Sequence, residues 1–190
     1  MTVQIVEPQT KRWTRADYYE LAEQGWFRGQ RVQLIEGEII QMPPQGHEHA
    51  KAIMLITRWL HQTCGEFLIR CQMPLNAPGE SDPEPDVAVL AESIDELKDH
   101  PRTALLVIEV SDSSLTLDRR KASLYAAAGV REYWIVNLEA RCIELYRNPH
   151  SDPKAEFAFA YAAPIVASEN EMISPLAKLE AQVRVRQLID

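Results

Sequence analysis

The sequence predicts an α/β protein: one domain in which a mixed β-sheet is flanked by helices. Three observations predict it. Apolar residues recur at helical spacing in three segments, short runs rich in Val, Ile, Tyr and Trp lie between them, and the order reads helix, hairpin, helix, several strands, helix, strands. A chain of 190 residues is long enough to bury a sizeable core without staples. With 46% hydrophobic and 25% charged residues, its composition is that of a soluble globular protein.

The elements follow in order. Residues 13–25 read as a helix, with Thr14 as N-cap, Asp17 at the capping-box spacing and Gly25 as the stop. Two short apolar runs over 32–40 flank Glu36-Gly37 and signal a hairpin. The proline-bearing segment 42–46 is a loop. Ala52, Ile53, Ile56, Trp59 and Leu60 then mark a second helix over 49–64, ended by Gly65. A strand over 67–73 and a rigid acidic loop over 77–85 lead into a short strand opening at Asp86. Residues 105–110 form the strongest strand, apolar on both faces and therefore central. A third helix over 118–128 stops at Gly129, strands follow over 133–136 and 142–146, and the tail adds strands over 157–161 and 179–185 with a final turn.

The formal net charge of −8 argues against broad electrostatic binding to nucleic acid, while leaving room for a local basic groove. Cys64, Cys71 and Cys142 form no close pair, so single thiols are expected rather than a zinc cluster or a disulfide framework. Apolar stretches are broken by charge far short of a membrane span, and residues 1–7 lack the basic start and long apolar segment of a signal peptide. No membrane partner is expected, and the protein is placed in the cytoplasm.

Two carboxylates sit where burial should discourage them. Asp86 begins an apolar strand, and Glu109 interrupts an aliphatic run. Ionised carboxylates are costly to bury unless paired or bound to metal. If their strands are neighbours, as sequential strands usually are, both could reach one point. Two carboxylates plus waters suit Mg²⁺, which takes few protein ligands. Taken singly, Asp86 also reads as a turn residue and Glu109 as the polar face of an edge strand. Lys121, on the helix after the Glu109 strand, shares a face with Tyr125 and Ala128 and could orient a water or neutralise developing phosphoryl charge. Arg119 and Arg120 read as a solvated basic turn, and Asp118 as a cap or a dipole partner in the helix's first turn.

The strings LIEGEI over 34–39, MPP over 42–44, His49, EPDV over 84–87, VIEVSDSS over 107–114, Asp118, and Lys121 through Val136 carry a family resemblance. Pro85-Asp86 and Glu109 resemble the paired acidic motifs of the PD-(D/E)XK nuclease superfamily, and the longer string is similar to the Uma-two family of restriction-endonuclease-like proteins. The likeness runs from about 13 to 146, with a looser match at 174–176, and the C-terminal strands and tail over 155–190 complete one domain spanning 1–190. It implies a restriction-endonuclease-like core with Asp86 and Glu109 as ligands of Mg²⁺ or Mn²⁺. It adds Glu36 as a further acidic contributor to the metal site, and His49 as a neighbour. From the residues alone, Glu36 is a hairpin-turn residue and His49 a helix-terminal surface histidine. The superfamily places a lysine two residues after the second acid, where this chain has Ser111; Lys121 is the candidate replacement.

The expectation is thus a metal-dependent endonuclease hydrolysing DNA phosphodiesters, with Asp86, Glu109, Lys121, Glu36 and His49 at its site. A homodimer is expected by analogy, because a lone nuclease core often needs a second copy to cut both strands. The alternative is a nuclease-fold module that binds nucleic acid or protein without turnover. A serine hydrolase built on Ser111 or Ser113 with His49 is weaker, since there is no GxSxG elbow.

Overall fold

Thr14 caps the first helix, α1 (Arg15–Glu23), and its exchange of hydrogen bonds with Asp17 closes the expected capping box. The hairpin is β1 (Val32–Ile35) and β2 (Glu38–Gln41), turning through Glu36 and Gly37. Both turn residues have positive φ, 52° and 72°, as a tight right-twisted hairpin requires. Gly37 also lies against the Trp13 main chain, where a Cβ would come within 2.9 Å of the carbonyl oxygen. Next come α2 (His47–Thr63), β3 (Leu68–Arg70), β4 (Val87–Leu90), β5 (Leu106–Ser111) and α3 (Leu115–Ala127). The chain continues through β6 (Glu132–Asn137), β7 (Cys142–Arg147), β8 (His150–Ser151), β9 (Phe159–Ala160), β10 (Ile165–Ser168), β11 (Met172–Ile173), β12 (Val183–Arg184) and α4 (Arg186–Ile189). This computed structural model describes residues 9–190; the first eight, on which the cytoplasmic expectation drew in part, lie outside them.

The main sheet has six strands in the order β10-β7-β6-β5-β4-β3. All neighbours are antiparallel except β5 and β6, which α3 connects in parallel. β5 sits inside the sheet with all its residues buried, as its double-sided apolarity predicts. Alternation along it sorts the core into two layers. Leu106, Ile108 and Val110 pack with α2, α4 and Trp134, whereas Val107 packs with α3, Tyr133 and the hairpin residue Ile35. Glu109 shares its face with Val107 and so points toward α3.

Several boundaries differ from the sequence expectation; α1, α2 and β3 shift by one to three residues at their ends, and three differences matter more. α3 starts at Leu115 rather than 118, because the turn after β5 is shorter than its serines suggest. Asp118 is therefore inside the first turn and buried. The strand expected from Asp86 begins one residue later, at Val87. The tail contributes β10 to the main sheet, whose exposed Ile165 and Val166 gave no alternating signal, while the strands expected over 157–161 and 179–185 shrink to two-residue ladders. Among the described residues, no helix is long and apolar enough to cross a membrane.

Candidate active site

The antiparallel pairing of β4 with β5 matches Val87 to Ile108, which brings the preceding Asp86 opposite Glu109. The main chain then locks the two carboxylates together. The Asp86 amide donates to Glu109 Oε2 at 3.3 Å, and the Val110 amide donates to Asp86 Oδ2 at 2.8 Å. The other oxygens are held by side chains. His49 Nε2 lies 3.2 Å from Asp86 Oδ1, and the Gln72 amide donates to the same oxygen at 3.3 Å. Lys121 Nζ donates to Glu109 Oε1 at 3.0 Å, and the Tyr125 hydroxyl donates to it at 2.7 Å.

Helical spacing explains the α3 contributions. Asp118, Lys121 and Tyr125, at i, i+3 and i+7, lie on one face. Lys121 Nζ is 3.6 Å from Asp118 Oδ1, and Ser114 donates to Asp118 Oδ2 at 2.5 Å. Asp86, Glu109, Asp118 and Lys121 are all buried, at 7%, 3%, 2% and 2% exposure. Three buried carboxylates thus face one buried ammonium. Burial pushes the Glu109 carboxyl up to about 7, aided by the charges of Asp86 and Asp118 and only partly opposed by Lys121. Burial likewise raises Asp118 against the pull of Lys121. Burial alone would raise Asp86, yet its bonds and charge attraction to His49 and the Val110 amide leave it lowered. Lys121 would be lowered by burial, but Glu109 and Asp118 raise it. Desolvation also opposes the charged form of His49, and Asp86 and Glu109 overcome it to shift the imidazole upward.

These groups open on a cavity of about 60 Å³ whose lining includes Arg31, Glu84, Asp86, Glu109, Asp118 and Lys121. Glu84 was given no role from sequence, yet it lies there half-buried, with its amide held by Gln33 Oε1 at 3.3 Å. Its position two residues before Asp86 was the available signal. Asp118 and Tyr125 were signalled by their helical spacing from Lys121.

Of the expected site residues, Asp86, Glu109, Lys121 and His49 come together. Glu36 does not. It occupies the hairpin turn, and its carboxylate lies 3.5 Å from Arg120 Nη2, on the flank of α3. Its amide accepts no role at the cavity either, since it donates to Ser81 Oγ at 2.9 Å. Arg119 and Arg120 stay solvated, as expected, but each is ion-paired: Arg119 binds the buried Glu144 through two of its nitrogens, and Arg120 binds Glu156 as well as Glu36. Among the described residues, no set of three or more His, Cys, Asp or Glu side chains is arranged as a ready-made metal cage.

A family model described as "Putative restriction endonuclease", Uma2, matches residues 15–184. The chain belongs to the Uma2 family. A crystal structure from Anabaena variabilis ATCC 29413, described as a putative nuclease belonging to DUF820, superposes on this Uma2 chain with a TM-score of 0.69. That likeness covers 93% of this chain and 97% of the other at 14% identity, and so speaks for the fold. Among curated proteins no match was found.

Proposed function

We propose that this Uma2 chain is a divalent-metal-dependent endonuclease that hydrolyses DNA phosphodiester bonds, with Asp86 and Glu109 as its metal ligands. One observation carries the reading: a surplus of buried carboxylate, three against a single ammonium, facing a small cavity. Such a surplus is costly unless a cation shares it. The donor set fits Mg²⁺ or Mn²⁺, because hard oxygens from one or two carboxylates, completed by water, are what such ions take. A cavity of about 60 Å³ has room for a small ion with a few waters. When bound, such an ion supplies Lewis-acid charge to a phosphoryl oxygen and acidifies water.

The chain's own residues do the rest. The main-chain amides of Asp86 and Val110 fix the two carboxylates in register, so little reorganisation is needed on binding. His49 and Gln72 hold Asp86 by its outer oxygen. Lys121 reaches from α3 to Glu109, in place of the lysine that the superfamily pattern puts at position 111, and its ammonium can orient the attacking water or offset charge building on the phosphate. By the same reading the protein acts in the cytoplasm, and as a homodimer when it cuts both strands.

The test is cleavage of plasmid DNA with Mg²⁺ or Mn²⁺, comparing wild type with Asp86→Ala, Glu109→Ala and Lys121→Ala. Metal-dependent cutting lost in each variant supports the reading. Cutting that survives both acid substitutions overturns the metal site. Ion binding without turnover on any nucleic acid would favour the binding module instead.

A further inference from the structure

In a chain of net charge −8, basic side chains are expected to find carboxylate partners. On the α3 flank of the cavity they do: Arg119 meets Glu144, Arg120 meets Glu36 and Glu156, and Lys121 meets Glu109 and Asp118. The α2 flank differs. Arg31, on the cavity rim, and Lys51 and Arg58 on α2 have no carboxylate within 4.0 Å among the described residues.

Helical geometry aligns the α2 cations. Lys51, Met54 and Arg58, spaced 3 and 4 residues apart, form one stripe on the side opposite the buried Ala52, Ile56, Trp59 and Leu60. Met54 is 63% exposed, so the stripe is open rather than packed under another element. The sole carboxylate of the helix is Glu48, in its first turn. Lys51 and Arg58 are about 10.5 Å apart along the axis at 1.5 Å per residue. Phosphates of one strand advance only about 3.4 Å each along the duplex axis, so two cations at that separation can meet separate phosphates. Gly46 and His49 at the head of α2 line the cavity, and Lys51 follows two residues later on the other side of the helix, so the stripe runs along the outer face of α2 beside the cavity.

We propose that Arg31 and the Lys51–Arg58 stripe of α2 form a phosphate-contacting track that carries a DNA duplex past the cavity. This rests on the DNA-cleaving reading and adds the side from which the polyanion approaches. The α3 flank offers it less, since the cations there are already neutralised by carboxylates: Arg119 by Glu144, and Arg120 by Glu36 and Glu156.

The test is fluorescence anisotropy with a labelled duplex in EDTA across a salt series. The variants are the triple Arg31→Gln/Lys51→Gln/Arg58→Gln and a control, Arg131→Gln/Lys154→Gln, which removes two other exposed and unpaired cations. Each phosphate contact contributes about 0.9 to the slope of log K against log salt. The triple variant should lose between 2 and 3 from that slope, roughly, and bind at least tenfold more weakly at low salt. The control should match wild type. A triple variant with wild-type slope and affinity overturns the track alone. A control that loses as much as the triple overturns it too, because the attraction would then be diffuse. Wild-type protein that shows no salt-dependent DNA binding at all overturns both the track and the DNA-cleaving reading.

Discussion

Asp86 and Glu109 are joined through their main chains as well as their charges: the Asp86 amide donates to the Glu109 carboxylate, and the residue after Glu109 donates back to Asp86. Neither carboxylate can turn away from the other without breaking a hydrogen bond from a main-chain amide at a buried sheet position. The sheet therefore holds two like charges side by side, an arrangement that opposes folding in the absence of a counter-ion. The next three effects follow from how the fold tolerates it.

Glu109 makes the metal-free protein less stable as pH rises. Its carboxyl titrates near 7 in the native state, against 4.5 ordinarily. Between those values the native state binds more protons than the unfolded chain, so the stabilisation is fully present below 4.5 and is lost as pH rises through 7. Relative to Glu109→Gln, wild type in EDTA should lose on the order of 3 kcal/mol between pH 4.5 and pH 8 in urea denaturation. Added Mg²⁺ at pH 8 should restore wild type and leave the variant unmoved. A difference that stays constant with pH would show that Glu109 is already ionised throughout.

Tyr125→Phe removes one hydroxyl donor and nothing else from Glu109 Oε1. A hydrogen bond to a buried charge is worth about 1.5–3 kcal/mol, so the metal-free variant should be destabilised by about that much at pH 8. Because the lost bond favoured the ionised carboxylate, the proton should be held more tightly and compete better with an ion. The pH of half-maximal Mg²⁺ binding, read by calorimetry, should move upward. A downward shift or none would mean that the hydroxyl serves packing only.

Lys121→Met keeps the stem length and deletes the ammonium. Asp86, Glu109 and Asp118 would then be buried without a cation, which at pH 8 in EDTA should cost about 3–5 kcal/mol. The loss should shrink toward pH 5, where Glu109 is protonated. Ion binding should survive, since a repelling charge has been removed, while DNA cutting is lost. If calorimetry shows ion binding abolished together with cutting, Lys121 holds the site's shape rather than acting on the substrate.

The fold was legible where local chemistry decides it: the Thr14 cap, the Glu36-Gly37 turn and the double-sided apolarity of β5 each appear as expected. Asp86, Glu109 and Lys121 could be paired in advance because sequential strands usually pair and a helix follows directly. Glu84 and Asp118 were not recognised as neighbours of the cavity: their spacing from Asp86 and Lys121 hinted at it, but their burial depends on packing between elements distant in sequence. Glu36 failed as a site residue for the same reason in reverse. Its turn was predicted, but Arg120, which draws its carboxylate toward α3, lies 84 residues away. Edge strand β10 was missed since its pairing with β7 is set by the long tail path.

That tail path has a buried polar anchor, and its removal makes the last prediction. Glu132, fully buried, accepts from Arg147 Nε at 2.6 Å and from the Leu176 amide at 2.7 Å, while Arg147 Nη2 donates to the Ser174 carbonyl at 2.7 Å. The three bonds pin 174–176 to the start of β6 and the end of β7, far along the sheet from the Asp86–Glu109 row. Glu132→Ala leaves Arg147 and the Leu176 amide without their acceptor and should cost about 3–5 kcal/mol. Because the anchor is local, the tail should open before the rest unfolds. Limited proteolysis should then cut between 169 and 182 at protease levels that leave wild type intact, with Glu132→Gln intermediate because it keeps an acceptor oxygen. Mg²⁺ affinity should be the same in all three proteins. A variant that unfolds as one unit, with no early tail cleavage, would show that the tail is held by the α4 core contacts instead.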